Sequence, residues 1–254
     1  MTSSKVYLIT GGNRGIGFAL VKELSKDENN FIIASVRDPS KNDEFKVFSE
    51  SKKNVSTVKL DLDKDSDIES LGDQLGKLTD KVDVFISNAG IANALHKVVE
   101  APKEVYITNY RVNALAPVFI FQKVYPFLKK SETKKAIFVS TSGASFSEFM
   151  SGPISAYGSS KAALNFSVLQ LSSELSNEGF TIFAVHPGMV SSDMGNRALE
   201  KLPQLMPELK EFFSSSLTVL TPNESALSLS KVIEASDSQY NGKFYYYDGS
   251  EHKF

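Results

Sequence analysis

Seven short apolar runs recur along the chain, and longer stretches with helical spacing lie between them. "KVYLIT" (5–10) precedes "GIGFALVKELSK" (15–26), and "FIIASV" (31–36) precedes a charged helical stretch. "VSTVKL" (55–60) precedes "DSDIESLGDQLGKL", and "VDVFIS" (82–87) precedes a long helical region from about 103 to 130. "AIFVST" (136–141), "FTIFAV" (180–185) and "KFYYYD" (243–248) complete the series. Alternating strand and helix signals imply a parallel sheet joined by right-handed crossovers. "VDVFIS" is apolar almost throughout, as a strand covered on both faces is. The pattern predicts one α/β domain over 1–254, with a doubly wound, mostly parallel seven-stranded sheet and helices on both faces. An eight-unit barrel would need one more repeat. Residues 188–222 break the rhythm with three prolines and short amphipathic pieces. They read as a flap over one end of the sheet, where ligands of open α/β sheets sit.

The glycines after the first run narrow this to a Rossmann-type arrangement. "TGGNRGIG" (10–17) places Gly11, Gly15 and Gly17 between a strand and a helix. Glycines there allow a tight turn, close backbone approach to a pyrophosphate and close helix packing. The helix beginning near Gly15 would aim its free amides at the anion. A P-loop is excluded, because no Lys-Ser/Thr pair follows the last glycine. The end of the second strand discriminates the ribose: an acid suits a free 2′-hydroxyl, an Arg a 2′-phosphate. Here stand Ser35 and Arg37, with Arg14 in the glycine turn as a second cation. Two arginines favour NADPH through charge and bidentate geometry. Asp38, one step later, keeps NADH as the alternative.

"SAYGSSKAALN" (155–165) carries the other chemical signal. Tyr157 and Lys161 are four apart and so share a helix face. A phenol is a poor acid at neutral pH, and an ammonium beside it favours the phenolate.

Composition excludes several classes. The net charge of −2 makes no electrostatic case for nucleic acid or an acidic membrane surface. The chain has no cysteine, which removes disulfides, thiolate catalysis and Cys-based zinc sites. His96, His186 and His252 are scattered without metal-ligand spacing, so no metal is expected. No run of about 18 apolar residues and no leader-like stretch are visible, so a cytoplasmic location is expected.

"TGGNRGIG", "LDL" (60–62), "NAG" (88–90), Asn113 in "VNALAP", "YGSSK" (157–161) and "HPGMVSSDM" (186–194) occur in this order. From about residue 5 to 249 the chain resembles a single-domain short-chain dehydrogenase/reductase. "ASVRDPSK" and "NGKFYYYDGSE" resemble NADPH-dependent carbonyl reductases of the benzil-reductase, sepiapterin-reductase-like and C-factor-like groups. The resemblance implies that Tyr157 protonates the carbonyl oxygen. It implies that Lys161 holds the nicotinamide ribose and lowers the Tyr157 pKa, and that Asn113 kinks its helix and supports a water chain to Lys161. Asn13 and Ile16 join the glycine turn in holding the cofactor. Asn88, Ala89 and Gly90 would line it, with Asp61 and Leu62 at the adenine. Pro187, Gly188 and Val190 would wrap the nicotinamide, the Val190 backbone bonding its carboxamide, and Ser192 would replace the family's common Thr.

One departure concerns the family's catalytic Ser, commonly about 13 residues before the Tyr. That spacing lands on Ala144. Aligning the strand selects Thr141; aligning "SGAS" selects Ser142, the expectation taken forward with Thr141 as its alternative. The longer spacing implies a short insertion near "SEFMSG" that reshapes the pocket rim. Phe146, Phe149 and Met150 there are candidates for either core or pocket, while His186 and His96 are expected to be structural. The resulting expectation is an NADPH-dependent reductase of ketones or aldehydes with an apolar, aromatic or dicarbonyl substrate. Its partner is then a small molecule, with a homodimer left open. The alternative is a dinucleotide-binding sensor of the same fold, which would have no need of Tyr157, Lys161 and Asn113 together.

Overall fold

The computed structural model describes residues 4–38, 41–92, 94–209, 211 and 217–254. Its main sheet contains β1 (Val6–Thr10), β2 (Phe31–Val36), β3 (Val55–Lys59), β4 (Val84–Ser87), β5 (Lys135–Val139), β6 (Thr181–His186), β9 (Phe244–Tyr246) and β10 (Glu251–His252). A separate parallel pair is formed by β7 (Met189–Val190) and β8 (Val219–Leu220). The order in the main sheet is β10-β9-β6-β5-β4-β1-β2-β3. The seven strands read from the sequence are all present and parallel. The addition is β10, which returns antiparallel to β9 with His252 opposite Phe244.

Side chains along each strand alternate between two cores, as the two-residue period requires. Leu8, Phe85, Phe138 and Ala184 face one way, with Ile120, Val124, Leu164 and Val168 from α6 (Ala116–Leu128) and α7 (Ser155–Glu174). Ile68 of α3 (Asp65–Glu69) and Leu71 and Leu75 of α4 (Leu71–Gly76), between β3 and β4, join the same core. Ile9, Ile86, Ile137 and Val185 face the other way, with Phe18 and Leu20 of α1 (Gly15–Leu24) and Leu229 and Ile233 of α9 (Pro222–Ala235). Phe45 of α2 (Asp43–Ser51) meets Phe18 edge to face at 5.4 Å. Burying each such side chain contributes roughly 1.5–3 kcal/mol. The chain is thus a Rossmann-like α/β fold with helices on both faces of a mostly parallel sheet.

Three local details position the site. Strand order reverses between β1 and β4, which opens a crevice at their carboxyl ends. The long helix of 103–128 is interrupted: α5 (Lys103–Tyr110) passes into α6 through a π turn, Arg111–Leu115, centred on Asn113. Pro117 has no N–H to give the Asn113 carbonyl four residues back, which favours the widened turn. Strand β5 ends at Val139, so Thr141 lies beyond it and caps the 3-10 turn Ser142–Ala144. The stretch read as a flap contains β7, α8 (Asp193–Leu205), the turn Pro207–Leu209 and β8. Its residues 210 and 212–216 lie outside the described residues.

Candidate active site

The crevice forms a cavity of about 650 Å³, within the range of small-molecule sites. The glycine turn floors one end. Gly11 and Gly15 have φ of +67° and +53°, which side-chain-bearing residues rarely adopt. A Cβ on Gly17 would collide with the Gly11 carbonyl oxygen and stand 2.6 Å from Asn88 Nδ2, so α1 can approach the turn only with glycine there. Helix α1 has no side-chain cap and no acid in its first turn. Its N-terminal amides therefore present positive partial charge to the crevice.

Thr10, which the sequence reading passed over, ties the turn to β4. Its buried hydroxyl accepts from the amides of Asn88 and Ala89, each at 3.0 Å, and Asn88 Nδ2 donates to the Thr10 carbonyl at 2.9 Å. Ser35 has a similar structural duty. It is buried, and its hydroxyl accepts from Gly11 N at 3.3 Å. Arg14 reaches across the crevice to Asp193 at the start of α8, 3.1 Å away. That ion pair is exposed, and Arg14 also stands with Arg37 on the wall of an adjoining cavity.

Arg37 borders both the crevice and an adjoining cavity of about 730 Å³. That second cavity is lined by five cations (Arg14, Arg37, Lys41, Lys59 and Lys64) and two carboxylates (Asp38 and Asp61). Asn42, the cap of α2, joins the same wall and donates to the Asn13 carbonyl at 2.6 Å. The three lysines had no motif to mark them, because they come from separate elements that only the folded sheet edge brings together.

At the other end of the crevice stand Tyr157 and Lys161, with Val139 and Ser140 behind them. Lys161 is buried, and its Nζ donates to the Val139 carbonyl at 2.8 Å. Burial lowers its pKa from 10.5 to about 8. Burial raises that of Tyr157 to about 12, against a smaller opposing effect of a hydrogen bond with the Thr141 side chain. Loss of hydration is thus the larger influence on the phenol, while the Lys161 ammonium is held on a backbone carbonyl. Thr141 Oγ1 accepts from Gly143 N at 3.2 Å, which leaves its own proton to donate. The hydroxyl brought to Tyr157 is thus Thr141's, and Ser142 opens the 3-10 turn instead. Of the two candidate hydroxyls, Thr141 is the one with an interaction with Tyr157.

Asn113 is buried behind the crevice. Its Oδ1 accepts from Ile91 N and its Nδ2 donates to Ile91 O, both at 2.8 Å, and Nδ2 also reaches Ser160 Oγ at 3.0 Å. A Cβ on Gly90 would stand 3.1 Å from Asn113 Oδ1 and 3.5 Å from Lys161 Nζ. The π turn thus holds the loop after β4 against α7.

Gly11, Asn13, Gly15, Ile16, Asp61, Leu62, Asn88, Ala89, Gly90, Pro187 and Ser192 all line the crevice. Gly17, Asn113, Thr141 and Ser142 are set back from its wall. So are Gly188, which backs onto Leu220 and Tyr247, and Val190, buried in the β7–β8 pair. The wall further includes Met194, from the "HPGMVSSDM" motif, and Ile91, Thr108, Asn196 and Arg197, which no motif flagged. His186 lies outside it, edge-on to Tyr246 at 5.6 Å; burial lowers its pKa to about 4, aided by His252, so it is neutral at physiological pH. Among the described residues no cluster of three or more His, Cys, Asp or Glu is arranged to hold a metal, and no helix is long and apolar enough to cross a membrane.

The family model for short chain dehydrogenases matches residues 5–203. An uncharacterized oxidoreductase of Saccharomyces cerevisiae is 43% identical over 100% of this chain and 99% of its own. Among solved structures, the NADPH-bound carbonyl reductase from chicken fatty liver superposes with a TM-score of 0.87 at 24% identity, covering 100% of this chain and 96% of that one. At that identity the likeness is one of fold. A carbonyl reductase from Pseudomonas aeruginosa gives 0.80 at 25% identity, over 98% and 100%.

Proposed function

The chain belongs to the short-chain dehydrogenases, oxidoreductases that bind a nicotinamide dinucleotide, and from that premise we propose that it is an NADPH-dependent carbonyl reductase of apolar ketones or aldehydes. The observation that carries the reading is the pairing of two ends of one crevice: Tyr157 with Thr141 and Lys161 at one, and a cluster of cations around Arg37 at the other. The carbonyl-reductase likeness in fold supports it.

The residues present fit a dinucleotide phosphate. The close approach of Gly17 to the turn and the uncapped amides of α1 suit a pyrophosphate. Arg37, with Lys41, Lys59 and Lys64 near it, suits a 2′-phosphate. Asp61 and Leu62 would border the adenine, and Asn88, Ala89 and Gly90 the middle of the cofactor. Pro187 would sit at the nicotinamide end, and Ser192 beside the glycine turn, where its Cβ is 3.5 Å from the position a Cβ on Gly15 would take. When bound, the dinucleotide supplies a hydride to the carbonyl carbon.

The protein supplies the proton. A phenol with pKa near 12 keeps its proton across neutral pH, yet it is far more acidic than the alcohol being formed. Tyr157 Oη therefore gives its proton to the carbonyl oxygen as negative charge grows there. The Thr141 hydroxyl, its oxygen already engaged by Gly143 N, donates to the same oxygen and orients it. Lys161, with pKa near 8, is still mostly charged at pH 7 and stabilises the phenolate left behind. Asn113 keeps this corner rigid through Ile91 and Ser160.

The test is NADPH oxidation, followed by absorbance at neutral pH, against a panel of ketones, aldehydes and diketones and repeated with NADH. Turnover of carbonyls with NADPH favoured is the expected result. No carbonyl reduced with either cofactor refutes the reading.

A further inference from the structure

Helix α7 grips the exit of β5 with three side chains at four-residue intervals. Tyr157, Lys161 and Asn165 share one helix face, and Asn165 takes no part in the proton transfer. Each meets a different one of three consecutive residues. Lys161 Nζ donates to the Val139 carbonyl at 2.8 Å. Ser140 Oγ donates to Asn165 Oδ1 at 2.6 Å. Tyr157 hydrogen-bonds the Thr141 side chain. The link between Ser140 and Asn165 lies in the interior, the two residues being 2% and 4% exposed.

The segment so held is where regular pairing stops. Strand β5 ends at Val139, although Ser140 N still donates to the Val185 carbonyl of β6 at 2.8 Å. Thr141 is extended, and it accepts from the turn that follows: its carbonyl from Ala144 N at 3.0 Å and its hydroxyl from Gly143 N at 3.2 Å. The exit is thus tied to the rest of the fold by β6 at its edge and by α7 across its face. Asn165 makes its tie at a cost. Its Nδ2 is buried and has no hydrogen-bond partner among the described residues, which destabilises a fold. A leucine, of nearly the same shape, would carry no such cost. Ser140 stands on the crevice wall and Asn165 does not, so any effect of Asn165 on the reaction passes through its neighbours.

We propose that Asn165 is a positioning residue: through Ser140 it holds the exit of β5 so that the Thr141 hydroxyl and the Val139 carbonyl stand where Tyr157 and Lys161 need them. The inference rests on the carbonyl-reductase reading. With Ser140 released, both groups shift together, because they are its neighbours in the chain. Thr141 then donates poorly to the oxygen that takes the proton. Lys161 loses the acceptor that keeps its ammonium beside the phenolate. Binding is spared, since Asn165 is off the wall, and the loss falls on the chemical step.

The experiment measures kcat, KM for a carbonyl, NADPH affinity by fluorescence and the urea unfolding midpoint for Ser140→Ala, Asn165→Leu and the double variant. Each single substitution is expected to lower kcat roughly ten- to a hundredfold, as misplacing a reacting group does, with KM and NADPH affinity little changed. The double variant should be no slower than the slower single one, because both substitutions break the same link. It should also be no less stable than the wild type, because neither polar side chain of the pair is left buried without a partner. Asn165→Asp keeps an acceptor for the Ser140 hydroxyl and should keep most of kcat. In the protein without cofactor, amide exchange at residues 140 and 141 should quicken in both single variants while the rest of β5 is unchanged. A double variant with wild-type kcat overturns the proposal, as does a loss carried entirely by KM or NADPH affinity. Effects that multiply in the double variant show Asn165 acting apart from Ser140 and also overturn it. Loss of folded protein in Asn165→Leu, with Ser140→Ala at the wild-type rate, assigns Asn165 to stability alone and overturns it too. A wild-type protein that reduces no carbonyl fails at the carbonyl-reductase reading, and amide exchange then still tests the hold of Asn165 on Ser140.

Discussion

Replacing Lys161 by methionine should abolish turnover and also change how stability depends on pH, and the second effect follows from the structure alone. Lys161 Nζ is buried with one acceptor, the Val139 carbonyl. Its pKa falls from 10.5 to about 8 because burial penalises the charge. At about 1.4 kcal/mol per pH unit, holding it charged in the fold costs ~3 kcal/mol. The sign follows from proton counting. Below pH 8 both folded and unfolded chains bind the proton, so the penalty is fully present. Between pH 8 and 10.5 the unfolded chain binds it and the folded chain does not, so wild-type stability gains with pH from this group. The methionine variant carries no such contribution. The assay is equilibrium urea unfolding of wild type and Lys161→Met, without cofactor, at pH 7 and pH 10. Relative to the variant, the wild type should gain roughly 2–3 kcal/mol between those conditions. At pH 7 the variant should be as stable as the wild type or slightly more so, since relief of the charge outweighs the ~1–3 kcal/mol cost of leaving the Val139 carbonyl without a donor. A stability difference that does not move with pH would refute a buried, pKa-depressed lysine.

Tyr157→Phe should reduce carbonyl turnover at least ~100-fold while NADPH binding, read by fluorescence quenching, is kept; more than half the activity remaining would remove Tyr157 from the acid role. Thr141→Val should cost roughly a hundred- to a thousandfold in kcat, on the order expected for removing one donor to a developing oxyanion, whereas Ser142→Ala should cost little. The reverse ranking would restore the register that places Ser142 in the site. Arg37→Ala should weaken NADPH roughly ten- to a hundredfold and NADH far less, as loss of a charge-assisted phosphate contact requires; equal losses, measured by titration with each cofactor, would move the 2′-phosphate to the neighbouring lysines.

Local patterns carried much of this protein. Strands buried on both faces read as apolar runs, so β1, β4, β5 and β6 are visible without any partner. The turn "TGGNRGIG" is legible because Gly11 and Gly15 need backbone angles that few residues other than glycine tolerate, and Tyr157 and Lys161 share a face because the helix repeats every 3.6 residues. Whatever depends on where elements stop, or on which distant elements meet, was not legible. The choice between Thr141 and Ser142 was not legible, because β5 ends at Val139, paired with Val185 of β6, and no residue type in "VSTSG" encodes that end point. Lys41, Lys59 and Lys64 are ordinary surface lysines until β2, β3 and the loops after them lie side by side. The direction of the Tyr157 shift depends on how much protein excludes water from the phenol, a property of the packed site and not of the residue four positions on. The hydrogen bond from Ser147 Oγ to the Phe254 carbonyl joins residues 107 apart in the chain. Periodicity and backbone preference act within a few residues; desolvation, charge convergence and strand termination are set by neighbours that the chain brings close only when folded.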